Sequence, residues 1–497
     1  MSESSDEEQL LLPSSSSASN PITSTNANEI VEPNNNEVEI KTARSCCSGQ
    51  WQTWINLSIL ALTELLGGFT FSLLAPFYTN EATGKGLSVT ETGLVYGSVF
   101  ITSIIFAPIF GKYIEKIGSR KLFLYGTFVA GAANTIFGFL QWVDNRVPFL
   151  ALSLLIRIIS AIGEAAFFSA VYPIAAQEAE PENRSKVLSI METMFALGLM
   201  IGPFVGGVLY EFGDFYLPFV SCGGSLMLCS IFGWMLLKTE AESETEGDQE
   251  SVESTSFRQL LKMPTVLYCC LIVVISGLGS SWYLPSLQPY VESQFQLNSI
   301  AIGTLFMTDG ATYAIFTPLW AWLLDKGMPP FYVLFFGNLF TLCGFLLLGP
   351  APFLDFLPVN EYLLGFALAL HGFGVAANLI TTLTFMMSSS VDIGGAPDTE
   401  QTRGMITSLW FMNECLGDYI GSLGGGFAFD SMGFVNSTVI VIGIQLVILV
   451  SLPILGKVIR TTQTRTKNEE TAPLLRGRSV DGICERPQRT YCSIRVV

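Results

Sequence analysis

The stretch SIMETMFALGLMIGPFVGG, residues 189–207, is an apolar run long enough to cross a lipid bilayer as one helix. Gly198, Gly202 and Gly206 recur at every fourth residue, so they share one helix face, where a second helix can approach closely. Pro203 removes one backbone N–H and bends the helix, and Gly207 follows the last glycine of the series. These features predict two parts of the protein that move against each other. A static packing face is the alternative.

The composition of the whole chain is that of a multispanning membrane protein. Half of its 497 residues are hydrophobic and only 13% are charged. The hydropathy predicts an all-α membrane protein with twelve transmembrane helices. The spans cover roughly residues 53–78, 91–110, 122–141, 148–174, 189–211, 216–237, 265–288, 299–323, 331–350, 361–387, 404–428 and 436–457.

Polar segments divide these spans into two groups of six. Residues 1–50 are an acidic tail, residues 238–264 are a linker rich in Glu and Ser, and residues 459–497 are a second tail. Such segments bury too little apolar surface to fold, so we expect the first tail and the linker to be disordered. The predicted domains are one six-helix bundle over residues 51–237 and a second over residues 265–458.

The distribution of lysine and arginine predicts the orientation, because loops rich in these residues stay in the cytosol. When both termini are placed in the cytosol, the loops on the opposite side hold only Lys85 and Arg146. The cytosolic loops then hold Lys112, Lys116, Arg120, Lys121, Arg184, Lys186, Lys326 and Arg403.

The two halves of the chain repeat each other. IFAPIFGKYIEK (residues 105–116) aligns with IFTPLWAWLLDK (residues 315–326) at an offset of 210 residues. The four glycines at 198, 202, 206 and 207 return at 417, 421, 425 and 426, an offset of 219. Duplicated six-span halves around a central site are a known plan of secondary transporters.

The sequence GKYIEKIGSRK (residues 111–121) resembles the loop between the second and third spans of the major facilitator superfamily. The resemblance implies two pseudo-symmetric six-helix bundles and a cytosolic gate that this loop latches. Its Glu115 carboxylate can pair with a cation or a helix N-terminus. The lysine and arginine residues of this loop also help to set the membrane topology. The gating residues would be Gly111, Glu115, Lys116, Gly118, Arg120 and Lys121, with Asp325 and Lys326 in the repeat.

Two further stretches are similar to motifs of that superfamily. Residues 152–166, with Arg157, resemble its arginine-bearing fourth span, and residues 198–207, with Pro203, resemble its antiporter motif in the fifth span. In the eleventh span Ser422 replaces the expected proline.

Within the superfamily the chain resembles vesicular amine transporters, and most of all their polyamine-carrying branch. The resemblance lies in LAPF (74–77), FGKYIEKIG, SIMET, GLMIGPFVGGVLYEFG (198–213) and GNLFTLCGFLLLGPAP (337–352). It implies proton-coupled antiport of organic amines into an acidic compartment, with a small cationic substrate and protons as the partners. The alternatives are transport of another solute, such as a drug-like organic cation, and a non-transporting sensor.

Ionisable side chains at membrane depth are costly and are therefore functional candidates. Glu64 and Asp309 lie near the middle of their spans, and Arg157 and Glu164 share one face of the fourth span. Because carboxylates outnumber Arg157, a cavity that they line would attract cations. Glu164 either binds substrate or neutralises Arg157.

Glu414 and Asp418 stand one helical turn apart in the eleventh span. Their like charges repel and burial opposes ionisation, so we predict that the pair shares the coupled proton. The alternative is that Asp418 only hydrogen-bonds a neighbouring helix.

Four further side chains in the spans have alternative roles. Trp282 and Tyr283 offer ring faces that attract ammonium groups, or they belong to an interfacial aromatic belt. For His371 a core imidazole is favoured over a proton relay. For Glu192 the favoured role is structural: its carboxylate would interact with the positive end of the helix dipole at the start of the fifth span.

The tails contain DEEQLL (6–11) and ETAPLL (470–475), which resemble acidic dileucine sorting signals. Through Leu10, Leu11, Leu474 and Leu475 they predict clathrin-adaptor binding and a lysosomal, endosomal or secretory-vesicle membrane. We find no nucleotide fingerprint, metal-ligand spacing or nucleophile constellation in the sequence, and therefore expect no enzyme, cofactor, metal site or nucleic-acid partner.

Overall fold

The computed structural model describes residues 51–453 except 181–182, 238–259, 355, 393–396 and 398. Only the helical backbone is described for residues 35–50, and the side chains of residues 115, 185, 392, 400 and 401 are not described. Within the described residues the chain divides into two units, residues 35–52 and residues 53–453, and the second carries the helix contacts discussed below.

Every regular element within the described residues is helical. We number the α-helices α1 Asn35–Ser72, α2 Tyr78–Gly84, α3 Val89–Ile117, α4 Ser119–Gly138, α5 Arg146–Glu178, α6 Arg184–Gly213, α7 Tyr216–Leu236, α8 Pro264–Trp282, α9 Leu287–Phe295, α10 Ser299–Asp325, α11 Pro330–Leu348, α12 Glu361–Asp392, α13 Glu400–Met432 and α14 Phe434–Pro453. One turn of 3₁₀-helix, Phe139–Trp142, follows α4.

Eleven segments of the described chain are helical, long and apolar enough to cross a membrane. The predicted all-helical membrane fold is thereby confirmed. The predicted span over 404–428 lies in α13, which has 33 residues but a lower apolar content. Because α13 packs against α3 and α8, its Glu414 and Asp418 are shielded from lipid by protein.

The helix pairs show the twofold repeat directly. In the first half α5 packs against α3 and α4, and in the second half its counterpart α12 packs against α10 and α11. Between the halves α6 packs against α10, and α13 packs against α3. Because α6 and α13 are repeat counterparts, as are α3 and α10, these two contacts are equivalent.

Helices α3 and α10 begin with the same type of cap. The Ser88 hydroxyl accepts a hydrogen bond from the backbone N–H of Glu91. The side-chain oxygen Oδ1 of Asn298 accepts one from the backbone N–H of Ala301. Such caps satisfy backbone donors that have no partner inside the helix. Ser88 and Asn298 are 210 residues apart, as the sequence repeat requires.

Glycines of the repeated motif bring backbones into contact within each half. A Cβ built on Gly198 would collide with the Leu65 carbonyl oxygen of α1, and one on Gly417 would collide with the Val274 carbonyl oxygen of α8. The predicted close-packing face is therefore present in both halves. It joins helices of the same half, and only a residue without a side chain fits there.

The next glycine of each motif faces the opposite half. A Cβ on Gly207 would collide with the Ser299 carbonyl oxygen of α10, and one on Gly426 would collide with the Val89 carbonyl oxygen of α3. The motif thus contributes to both kinds of helix contact.

We call the end of the bundle that contains Lys85, Arg146, Glu211 and Asp430 the clamp end, because hydrogen bonds join the two halves there. The Glu211 carboxylate accepts a hydrogen bond of 2.9 Å from the Ser299 N–H. Asp430 accepts hydrogen bonds from the backbone N–H groups of Val89, at 3.2 Å, and Thr90, at 2.7 Å. Carboxylates at helix N-termini also interact favourably with the helix dipole.

We call the opposite end the basic end; it holds Lys112, Lys116, Arg120, Lys121, Arg184, Lys186, Lys326 and Arg403. At this end a Cβ at Gly111 or at Gly404 would meet open space. Glu192 and Thr193 of α6 are exposed between this end and the middle of the bundle. Hydrogen bonds thus hold the two halves together at the clamp end.

Candidate functional site

Three side chains of the second half meet at the middle of the bundle. The Tyr283 hydroxyl donates a hydrogen bond of 2.9 Å to Oδ2 of Asp309, and Nδ1 of His371 lies 2.8 Å from Oδ1 of the same carboxylate. Asp309 is 20% exposed and His371 is 2% exposed. One carboxylate thus has both oxygens bound by the protein and is still partly exposed.

The imidazole of His371 is fixed by aromatic rings. The rings of Tyr283 and Phe345 contact it edge to face, with centroid separations of 5.5 and 5.2 Å. Within the described residues its Nε2 is buried without a hydrogen-bond partner. The sequence favoured a core role for His371; it is buried, and it also contacts Asp309, an arrangement suited to the proton relay that was the alternative.

Asp418 binds the neighbouring helix, as one of the two alternatives for it required. The Ser281 hydroxyl of α8 donates a hydrogen bond of 2.6 Å to Oδ1 of Asp418. Glu414, one turn earlier, is half-buried and interacts electrostatically with Asp418. Tyr283 interacts with both Asp309 and Asp418, so the predicted pair and the Asp309 site form one cluster.

Arg157 and Glu164 are buried inside the first half, and no ion pair within 4.0 Å joins them in the described structure. Oε1 of Glu164 accepts a hydrogen bond of 2.8 Å from Ser160, which in turn accepts one of 2.7 Å from Nδ2 of Asn134. Nε and Nη1 of Arg157 have no hydrogen-bond partner among the described residues. The hydrogen bonds of Glu164 therefore run towards α4, away from the cluster in the second half.

Glu64 is the most isolated carboxyl group of the described bundle. It is fully buried, and neither of its oxygens has a described hydrogen-bond partner. Its electrostatic neighbour is Glu192, whose Oε2 accepts a hydrogen bond of 2.6 Å from the Tyr172 hydroxyl. Burying a carboxyl group without partners is costly, and this makes Glu64 a group that needs a proton or a cation.

The favoured role for Glu192, a contact with a helix start, does not match the structure. Helix α6 begins at Arg184, so Glu192 lies two turns inside it, beyond the reach of the unpaired N–H groups. The prediction failed because the span boundary was taken from hydropathy, while the polar first turns of α6 are helical too.

The two candidate aromatic residues differ in their surroundings. Tyr283 belongs to the Asp309 site, but Trp282 packs at the contact between α8 and α13, where its ring covers Gly424 and its carbonyl oxygen meets Gly425. Trp282 is buried, so it is not part of an exposed aromatic belt. No described contact connects Trp282 with a carboxylate.

The predicted gating loop turns sharply between α3 and α4. Gly118 adopts a φ of 87°, which a side chain would disfavour. Lys112 and Lys116 both lie 5.7 Å from the centre of the Tyr113 ring, and Arg120 donates a hydrogen bond to the Trp234 carbonyl oxygen. Lys121 is exposed at the same loop.

The repeated loop in the second half is built similarly. Helix α10 ends at Asp325, and the ammonium group of Lys326 lies 5.6 Å from the centre of the Trp322 ring. The side chain of Glu115, the centre of the predicted latch, lies outside the described residues, as do Leu10, Leu11, Leu474 and Leu475.

The comparisons with known proteins agree with this architecture. The family model described as Major Facilitator Superfamily matches residues 60–421, and a second match covers residues 269–482. The chain belongs to the Major Facilitator Superfamily. Membership confirms the fold class that the gating loop and the antiporter motif implied, and makes the protein a transporter rather than an enzyme.

Relatives within the superfamily cover most of the chain. MFS-type transporter SLC18B1 of Mus musculus is 31% identical over 367 residues, which are 73% of this chain and 78% of the mouse protein. The human protein of the same name is 31% identical over 368 residues, with the same two shares.

A solved superfamily structure has the same fold. The bacterial homologue of the human lysosomal transporter Spinster, in an inward-facing and unoccupied conformation, matches with a TM-score of 0.64 and 15% identity. The match covers 81% of this chain and 95% of the bacterial one.

Proposed function

We propose that the protein is a proton-coupled antiporter that moves organic amines, above all polyamines, into an acidic compartment by alternating access. The observation that carries this proposal is the set of carboxylates around the junction of the halves. None of them forms an ion pair within 4.0 Å with a lysine or arginine in the described structure. The set comprises Glu64, Glu192, Asp309, Glu414 and Asp418.

These carboxylates form one connected electrostatic group. Glu192 interacts electrostatically with Glu64 and with Glu414. Asp418 interacts in the same way with Glu414, and Tyr283 interacts with both Asp418 and Asp309. An anionic group without a counter-ion at membrane depth attracts cations. Either an ammonium group or a proton can neutralise its charge. The resemblance to vesicular amine carriers supports amines as the substrate class.

Coupling is assigned to Glu414 and Asp418. At one turn's separation their like charges repel, so the empty site holds a shared proton. An arriving ammonium group stabilises both carboxylates in the ionised form and expels that proton. Binding of amine and release of a proton are then linked in the way that antiport requires.

The basic end faces the cytosol in this proposal, because cytosolic loops are rich in lysine and arginine. Glu115 latches the gate at that end, and the two dileucine segments direct the protein to a vesicle or lysosome. In this proposal the hydrogen bonds of the clamp end close the opposite side, and substrate enters from the cytosol.

The proposal is tested with purified protein in liposomes. An acidic interior should drive accumulation of labelled spermidine, and the ionophore nigericin, by dissipating the pH gradient, should abolish it. Spermidine uptake that does not depend on the pH gradient, or the absence of spermidine uptake, would contradict the proposal.

The same assay tests the gating role of Glu115. The Glu115→Gln variant should transport spermidine more slowly than the wild-type protein, and an unchanged rate would contradict the latch role.

A further inference from the structure

Two carboxylates lie on the walls that the two halves present to each other, between the middle of the bundle and the basic end. Glu192 belongs to α6 of the first half, and Glu414 belongs to α13 of the second half. They interact electrostatically across the junction, and the Tyr313 hydroxyl of α10 interacts with both. The two walls therefore present like charges to each other.

The protein holds Glu192 in place and leaves it accessible. The Tyr172 hydroxyl of α5 donates a hydrogen bond of 2.6 Å to Oε2, while the side chain is exposed. This hydrogen bond fixes the position of one carboxylate oxygen. Glu192 is thus a positioned carboxylate with room for a cation beside it.

A second observation also indicates a ligand on this wall. Glu64 is fully buried beside Glu192, and both of its oxygens are without a described partner. Aromatic rings flank the same part of α1, since a Cβ on Gly67 would contact Phe167 and Phe168. A cationic group at Glu192 would supply the positive charge that the Glu64 carboxyl group lacks.

We propose that Glu192 and Glu414 each bind one ammonium group of the same substrate, so that the site selects molecules with two separated amines. This inference rests on the proposed function and adds the first-half anchor. A dication bridges the two walls and cancels the repulsion between them, which helps the two halves to approach each other. A monoamine neutralises the carboxylate of only one wall and leaves the carboxylate of the other wall without a counter-ion.

The experiment compares putrescine with butylamine, which has the same carbon chain and one amine fewer. Liposomes containing the wild-type protein are assayed for uptake of both, alongside Glu192→Gln, Tyr172→Phe and the control Glu361→Gln at the start of α12. We expect Glu192→Gln to lower the preference for putrescine by about tenfold or more, because a charged partner is lost. Tyr172→Phe should lower it less, and the control should keep it.

Binding is measured in parallel through the rise in melting temperature of the detergent-solubilised protein. Putrescine should stabilise the wild-type protein more than butylamine does, and Glu192→Gln should remove that difference while keeping a wild-type elution profile. A Glu192→Gln variant that folds and keeps the full preference would overturn the inference. If transport fails altogether in the wild-type protein but the difference in melting temperature behaves as expected, the proposed function fails while the two-anchor site stands.

Discussion

Glu211 and Asp430 occupy equivalent positions of the two repeats, and each binds the first turn of a helix in the opposite half. Together they close the clamp end through charge-assisted hydrogen bonds. Hydrogen bonds to charged groups are worth about 1.5–3 kcal/mol each, so the pair stabilises the closed clamp end.

Removing both carboxylates should open the clamp end. In Glu211→Gln combined with Asp430→Asn, the population open at this end should rise by at least about tenfold, since about 1.4 kcal/mol corresponds to one factor of ten. Spin labels at cysteines replacing Gly84 and Gln294 would report the separation of the halves. The control is Glu91→Gln, whose described partners Ser88 and Arg146 lie in its own half. Identical distance distributions in all three proteins would argue against the clamp.

The coupling pair can be tested by separating accumulation from exchange. Glu414→Gln and Asp418→Asn, singly and together, should abolish proton-driven accumulation of spermidine, because the shared proton is lost. Exchange of preloaded amine without a gradient should survive in part. If the variants still concentrate the amine against a gradient, the proton binds at another carboxylate, and Glu64 or Asp309 is the next candidate.

Tyr283→Phe removes one hydrogen bond from Asp309 and keeps the ring. Because that bond goes to a charged group and is worth about 1.5–3 kcal/mol, we expect a loss of at least about tenfold in kcat/KM for the amine. Tyr290→Phe is the matched control, since its ring stacks on Phe434 at 4.2 Å, away from the carboxylates. Equal kinetic constants for the two variants would show that the Asp309 site does not act on substrate.

The glycine contact within the first half should not tolerate a methyl group. Gly198→Ala places a Cβ against the Leu65 carbonyl oxygen, whereas Gly224→Ala places one in open space on α7. Overpacking of this kind costs about 1–3 kcal/mol, so the melting temperature and the uptake rate should fall only in Gly198→Ala. Two variants of equal stability would contradict the close approach of α1 and α6.

The dileucine segments give a prediction for cells. Alanine at positions 10, 11, 474 and 475 should move the protein from internal membranes to the cell surface, because adaptor binding requires both leucines of a segment. Imaging of the tagged wild-type protein and of a variant with only positions 14–17 changed would provide the comparison. An unchanged distribution would mean that the segments are not sorting signals.

Hydropathy and the internal repeat were sufficient to predict the fold. Runs of about twenty apolar residues have few stable forms in a bilayer, and the offsets of 210 and 219 residues defined the equivalent helices. The same offset could have identified the Glu211 and Asp430 pair, since their positions differ by 219.

The site was less predictable because its contacts join distant residues. His371 meets Asp309 from a helix 62 residues further on, and nothing in the local pattern of either span indicates the contact. The expected role of Glu192 is wrong for a different reason. Helix α6 begins with two polar turns, which a hydropathy pattern does not include in the span. The sequence alone predicts which residues share one face of a helix. Which other helix that face contacts is known only from the folded structure.

The cross-half contacts have one further consequence. Gly207 on Ser299 and Gly426 on Val89 are the same contact made twice, as are the caps at Glu211 and Asp430. In the language of oligomers this is an isologous interface folded into a single polypeptide. A half-length chain that carried one copy of each surface could make both contacts by pairing with a second copy of itself. The interface is therefore the one expected of a homodimer whose single gene was later duplicated and fused.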